Sequence, residues 1–500
     1  MRLRPYQEEA VDATVNTFTN QASALLVMAT GLGKTVVLSA LAAQWKRGRI
    51  LVVAHREELV SQAHDKLDHW LRGSVAIEMA GDHTDETRPA RAVVASVQTL
   101  VTGRAAKFKP DDFGLVVIDE AHHAVASTYR RVISYFAQNP EMRLLGVTAT
   151  PKRADELAMG QVFDSVSYDY GIEPAIGDGW LVPVHQHVIK VEGLDFSKAR
   201  TVAKDFNEAD LEKILIEEKI LHQTVAPMIE LAGDRPTLVF ACTVKHAELL
   251  AAVIDRYKRD SVAAISGKTP KDVRRKLIDR FKRGEIQFLV NCAIFLEGFD
   301  APTTAVVAMA RPTKSLSLYT QILGRGTRPL PGIVDGLETP DERKTSIADS
   351  AKPGMFVLDF AGNAGRHQIV TAQDVLGGKY GQPVREYARQ TVSQENRPAS
   401  VEQSLARAAD ELALLDEIRE RERKRAIIAK AQFRATSVSP FGGMVPPGMA
   451  PQASARQPGD EPTDKQVWFL VRAAGWNEQA ARRLTKRQAS AIIGKIKEAG

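Results

Sequence analysis

Short apolar runs alternating with amphipathic helical patterns, in two successive sets, constrain the fold of this 500-residue chain more than any other feature. In the first set, strand-like runs at 24–27, 50–54, 92–95, 115–118 and 144–147 alternate with helical periods at 36–45, 57–71 and 127–136. The second set has runs at 238–241, 262–265, 288–291, 305–309 and 355–359, with helical stretches at 245–258, 271–283 and 316–323. Strand, crossover helix and strand in succession build a parallel sheet covered on both faces by helices. The expected class is α/β, with two parallel-sheet lobes facing each other across a cleft.

Within the first lobe, "VMATGLGKTVVLSALAA" (27–43) ends an apolar run at a Gly-rich turn and then resumes a helical period. The first amides of a helix lack internal partners and the helix dipole adds positive charge, so a phosphate fits there. Gly31, Leu32, Gly33 and Lys34 would line that loop, with Lys34 reaching the β and γ phosphates and the Thr35 hydroxyl binding Mg²⁺. Met28 stands where such loops usually begin with glycine. The plainer alternative is an ordinary strand-to-helix turn carrying a surface lysine.

A phosphate loop needs a metal partner and a water activator, and "LVVIDEAHH" (115–123) places two carboxylates at the end of a strand. Asp119 would hold Mg²⁺ and Glu120 would orient and deprotonate water. In "QILGRGTRP", Gln321, Arg325 and Arg328 recur at spacings of four and three, so one helical or turn-like face can aim both guanidiniums across the cleft. Planar, permanently charged groups suit a γ-phosphate that gains charge in the transition state. An acidic strand end and two surface arginines are the structural alternatives.

In their order, these motifs resemble those of superfamily 2 helicases and translocases with a DEAH-type box, over residues 1–375. The resemblance implies two tandem RecA-like lobes with an ATP cleft between them, and ATP and Mg²⁺ as cofactors. In that family, elements similar to "LRPYQEEAV" recognise adenine, here through Arg4 and Gln7. "AHREELVSQA" and "ASVQTL" resemble strand-contacting motifs and nominate Arg56, Gln98 and Thr99, while "LVFACTVKHA" nominates Thr243. "GVTATP" resembles the coupling motif, through Thr148 and Thr150, with His122 of the DEAH box contacting the opposite lobe; His123 receives no role. "NCAIFLEGFDAPTT" places Gly298 and Asp300 near the nucleotide. The branch resembled holds restriction-enzyme motor subunits, repair helicases and phage remodelling helicases. It implies DNA, single-stranded or duplex with a single-stranded region, as partner, with RNA less favoured. A nucleic-acid-dependent ATPase switch or recruitment factor without unwinding, and an RNA helicase, are the alternatives.

The chain divides by this reading into a first lobe at 1–185, a connecting segment and second lobe at 186–375, and a mainly helical C-terminal extension. Within the extension fall a charged helical part at 376–436, a Pro/Gly-rich flexible linker at 437–462 and a small helical module at 463–500. Residues 376–500 carry 21 Lys and Arg against 14 Asp and Glu, a net of +7 in a chain of net +6. Such a tail suits a polyanion or a protein partner, and equally a solvated face. Segment 332–353 reads as a flexible loop, and Trp468, Phe469 and Trp476 read as core. Cys242 and Cys292 supply neither a disulfide framework nor a zinc site and read as buried thiols. No apolar run reaches the roughly 20 residues of a membrane span, and the N-terminus lacks the apolar core of a signal peptide, so a cytoplasmic location without membrane contact is expected.

Overall fold

The structure, a computed structural model, describes the chain apart from residues 1–2, 56, 86, 150–158, 203–204, 293–298, 300, 364–369, 395–398, 436–460, 475–477, 483, 485, 487–488, 491 and 494–500. The first lobe is built on β1 (Ser23–Met28), β2 (Arg49–Ala54), β3 (Val75–Glu78), β4 (Ala92–Ser96), β5 (Phe113–Asp119), β6 (Arg143–Thr148) and β7 (Ser165–Tyr170). They form one parallel sheet in the order β3-β4-β2-β5-β6-β1-β7. Its central strands are continuous apolar runs because helices cover both faces. Leu25 and Val27 of β1 pack into the core on one face, while Ala24, Leu26 and Met28 pack into the core on the other.

The second lobe uses β8 (Val184–Asp195), β11 (Thr237–Phe240), β12 (Val262–Ile265), β13 (Phe288–Asn291), β14 (Val306–Met309), β15 (Met355–Asn363) and β16 (Ala399–Ser400). Their order is β12-β13-β11-β14-β15-β8-β16, and β16 alone runs antiparallel. A hairpin of β9 (Thr201–Val202) and β10 (Asp205–Phe206) follows β8. The two-lobe α/β expectation holds. Both sheets are wider than the ten sequence runs indicate, since edge strands such as β7 are only partly buried and mix polar with apolar residues.

Segment 332–353 departs from its expected loop by forming a helix, Pro340–Ala348. Thr339 and Glu342 make a reciprocal capping box, and proline opens the first turn. The buried Arg343 secures it, donating to the carbonyls of Asp178, Leu337 and Glu338 and lying 3.9 Å from the Trp180 ring centroid. Ile347 is its one buried apolar residue and polar contacts supply the rest of its anchoring, so its low apolar content concealed it.

The chain separates into two compact units, residues 1–418 and 419–500. A long helix, Val401–Ala435, begins in the first. In the second, the helices Asp464–Ala474 and Glu478–Arg482 pack around Val467, Leu470, Ala481 and Ala489. Thr463 caps the first of these by accepting from the Gln466 N–H at 3.3 Å. Trp468, read as core, is 64 % exposed because the neighbouring Val467 occupies the inward face. Phe469 is partly buried. Most of the Pro/Gly-rich linker, together with Trp476, lies outside the described residues. Cys242 is a buried thiol as expected, whereas Cys292 is only partly buried.

A polar anchor inside the second lobe ties its arginine-bearing helix, Leu316–Gly326, to the sheet. Tyr319 Oη donates to Asp359 on β15 at 2.7 Å, and Gln186 Nε2 on β8 donates to the same oxygen. Burial pushes the Asp359 carboxyl up to about 6 against the pull of these donors. The folded state therefore holds the proton more tightly than the unfolded chain. Stability from this group is full below about pH 4 and is lost as pH rises through about 6. Asp359→Asn keeps an acceptor without the charge. Its stability relative to the native chain is expected to improve by about 3 kcal/mol between about pH 4 and about pH 8. Denaturant melts across that range check this, and a constant difference would contradict it.

Candidate active site

Parallel strands place every strand-to-helix connection of a lobe at one edge of its sheet, where ligands of α/β folds bind. In the first lobe, β1 runs into the Gly-rich turn, β5 ends at Asp119, β6 ends at Thr148 and β4 leads to Gln98. Gly31 and Gly33 have φ of 98° and 82°, left-handed values that favour glycine. A Cβ at Gly33 would also stand 2.8 Å from Gln7 Nε2. Met28, by contrast, belongs to β1 itself, where extended backbone accommodates a side chain. Lys34 opens the following helix, and its Nζ donates to the Met28 carbonyl at 3.2 Å. Thr35 follows it in the same turn and is partly buried.

The carboxylates stand opposite. Glu120 adopts a left-handed conformation (φ 53°, ψ 61°), uncommon for a residue with a side chain and costing on the order of 1 kcal/mol. That turn ends β5 and starts a short 3₁₀ helix, Ala121–His123. The Glu120 N–H donates to Asp119 Oδ1 at 3.1 Å, and His122 Nδ1 lies 3.5 Å from Glu120 Oε2. His123 stacks within a ring cluster of His55, His122 and Tyr129.

From the second lobe, the helix Leu316–Gly326 packs directly on the Gly-rich turn. A Cβ at Gly324 would fall 2.3 Å from Thr30 Cβ, and one at Gly31 would fall 3.2 Å from Arg328 Cγ. Arg325 sits in the last helical turn, 9 % exposed, with Nη1 donating to the Phe299 carbonyl at 2.9 Å. Arg328 lies past the C-cap Thr327 and is partly buried, so a helix end and the turn after it aim the pair. Gln321 is buried on the same helix. Burial holds the Lys34 ammonium below its usual range; Glu120 and Asp119 raise it, and Arg325 and Arg328 lower it further. Three cations from two lobes thus interact around two carboxylates.

The N-terminal element serves this site through the loop backbone. Gln7 Nε2 and Tyr6 Oη both donate to the Leu32 carbonyl, at 2.9 and 3.0 Å. Arg4 pairs with Asp335 at 2.8 Å and lies 5.2 Å from the Trp180 ring centroid. The strand-contact candidates hydrogen-bond within their own lobes. Gln98 Nε2 donates to the His55 carbonyl at 3.1 Å, Thr99 Oγ1 accepts from the Ala80 N–H at 3.3 Å, and Thr243 caps the helix Val244–Tyr257. Thr148 is fully buried. Arg56, Thr150, Gly298 and Asp300 lie outside the described residues. Sequence reasoning passed over Tyr6, although it adjoins Gln7, and Trp180, which no local pattern marks.

No group of three or more His, Cys, Asp or Glu that could hold a metal occurs among the described residues. The hard oxygens of Asp119 and Thr35 nevertheless suit Mg²⁺, which takes few protein ligands and binds together with phosphate.

Comparison with known proteins agrees with this geometry. The family described as "Type III restriction enzyme, res subunit" matches residues 1–153, and "Helicase conserved C-terminal domain" matches residues 217–329. The two matched domains and the helicase-named relatives support a place in helicase superfamily 2. The chain is 35 % identical over 346 residues to a candidate ATP-dependent helicase, IRC3, of Saccharomyces cerevisiae, covering 65 % of this chain and 49 % of that protein. It is 29 % identical over 394 residues to the DNA 3'-5' helicase XPB of Kineococcus radiotolerans, covering 75 % and 66 %. A solved fragment of a candidate HsdR subunit of a type I restriction enzyme from Vibrio vulnificus has a TM-score of 0.56 at 23 % identity, covering 76 % of this chain and 66 % of that one; the likeness is one of fold. The two sheets are RecA-like lobes. The chain spans about half the length of the first curated relatives it matches, 49 % and 55 %. No helix among the described residues is long and apolar enough to cross a membrane.

Proposed function

We propose that this chain is an ATP-driven DNA translocase or helicase. The observation that carries this is the convergence of Lys34, Arg325 and Arg328 around Asp119 and Glu120 where the lobes meet. A triphosphate is the ligand class that such a charge arrangement suits, since its γ-phosphate can engage cations from both lobes at once.

In this mechanism the amides of Gly31, Leu32, Gly33 and Lys34 cradle the phosphates, and Lys34 neutralises the terminal ones. Thr35 and Asp119 would hold Mg²⁺, which would supply charge neutralisation. Glu120 orients and deprotonates water, and Gln321, Arg325 and Arg328 stabilise charge on the transferred group. Arg4 and Gln7 serve adenine recognition, with Gly298 and Asp300 on the second lobe's side of the nucleotide. Loss of the γ-phosphate removes the link between lobes and loosens the cleft. His122, Thr148 and Thr150 pass that change to the nucleic-acid contacts of Arg56, Gln98, Thr99 and Thr243. DNA is favoured over RNA because the relatives' names include DNA helicases and restriction enzymes. The C-terminal extension, residues 376–500, is the candidate site for a protein partner.

Steady-state ATPase with single-stranded DNA, duplex DNA and single-stranded RNA at one salt concentration tests this, with Lys34→Ala as blank. Strong stimulation by DNA and little by RNA is expected, followed by strand displacement or translocation. Stimulation by RNA alone would overturn the substrate, and stimulation without displacement or movement would leave a nucleic-acid-dependent switch.

A further inference from the structure

Lys352 stands in the turn that leads into β15 and is 2 % exposed. A buried ammonium normally finds a carboxylate. Among the described residues, the one charged group found to act on Lys352 is Arg328, of like sign. Its Nζ donates instead to two main-chain carbonyls, those of Pro302 at 2.7 Å and Arg328 at 2.6 Å. Burial and the neighbouring guanidinium pull the ammonium down to about 7. An apolar side chain would avoid that penalty but would leave both carbonyls without their donor, so what the ammonium supplies here is a tie between two backbone segments.

Both carbonyls belong to the site's second-lobe segments. Arg328 is the residue whose side chain lies over Gly31 of the phosphate turn. Pro302 follows Asp300 by two positions, in the segment assigned to the nucleotide. The preceding carbonyl, that of Thr327, accepts from the Val182 N–H at 2.8 Å. The main chain at 327–328 is thus gripped by the segment between the lobes at one carbonyl and by Lys352 at the next.

Resting on the functional reading above, we propose that Lys352 is a positioning residue for ATP turnover. It fixes the backbone of Arg328 so that this guanidinium meets the γ-phosphate, and it joins that backbone to the segment at Pro302. Lys352 itself touches no substrate; its effect passes through Arg328. Removing it should therefore lower kcat and leave the KM for ATP nearly unchanged, and it should do so only while Arg328 is present.

The test is a double-mutant cycle on the full chain, with Lys352→Met, Arg328→Ala and the pair, each checked for cooperative melting. In the native background Lys352→Met is expected to lower kcat by about ten- to hundredfold, the scale of a misplaced catalytic group. In the Arg328→Ala background it should cause no further loss. Lys352→Gln, which keeps N–H donors without charge, should recover part of the rate, and it carries the same cycle if the methionine variant does not fold. Equal losses in both backgrounds, or no loss in either, overturn the proposal while leaving the ATPase reading intact. A native chain that turns over no ATP with any nucleic acid overturns that reading and the proposal with it.

Discussion

Lys34→Ala is expected to reduce ATP turnover by about 10³-fold or more, the scale of losing a preorganised donor to developing charge, with the fold retained. Lys34 sits at the first position of its helix, and its one described hydrogen bond, to the Met28 carbonyl, is long at 3.2 Å. Burial and two arginines already disfavour its charge. Removing it should therefore cost the fold little while stripping the terminal phosphates of their nearest cation. Glu120→Gln is the paired measurement. It keeps the shape of the left-handed turn and removes the base, so a fluorescent ATP analogue should bind with near-native affinity while turnover falls by about 10²- to 10⁴-fold. Native turnover in Glu120→Gln would remove Glu120 from the mechanism, and native turnover in Lys34→Ala would remove the phosphate loop.

The first lobe was legible because its chemistry is local. A glycine at a left-handed position, a lysine one residue later and paired carboxylates at a strand end are each written in a few adjacent letters, and parallel strands deliver them to one edge. The second lobe's arginines were legible as a spacing, though the helix ends between them. What sequence could not reveal depends on partners far along the chain. Trp180 gains meaning only with Arg4 and Arg343 at 5.2 and 3.9 Å from its ring centroid. Lys352, flanked by Ala351 and Pro353, resembles any solvated loop lysine until its two carbonyls are seen. Asp335 and the helix Pro340–Ala348 lie in a stretch too polar to read as ordered. Gln98, Thr99 and Thr243 were nominated as strand contacts by resemblance alone, because their hydrogen bonds, to His55, Ala80 and His246, are made within the protein.

Arg328→Ala is expected to lower kcat by about 10²- to 10³-fold at saturating nucleic acid, and Arg328→Lys should recover little of it. A guanidinium offers planar paired donors that an ammonium cannot match, and its reach across the cleft is set by a backbone already held at 327 and 328. Arg325→Ala should be as slow but harder to interpret. Its guanidinium also satisfies the Phe299 carbonyl, so truncation adds a stability cost of about 1–3 kcal/mol from an unpaired buried acceptor. Arg328 is partly buried, so its loss reports on turnover with less disturbance of the fold. Gly324→Ala provides an independent approach to the same contact. Its methyl group would meet the Thr30 side chain, prising the arginine helix from the phosphate turn without removing a charge. If closure positions the arginines, Gly324→Ala should slow turnover in the native background and add little to Arg328→Ala. If Arg328→Ala turns over within about twofold of the native rate, the second lobe contributes no charge to hydrolysis, and opening or closing of the cleft cannot be driven through that residue.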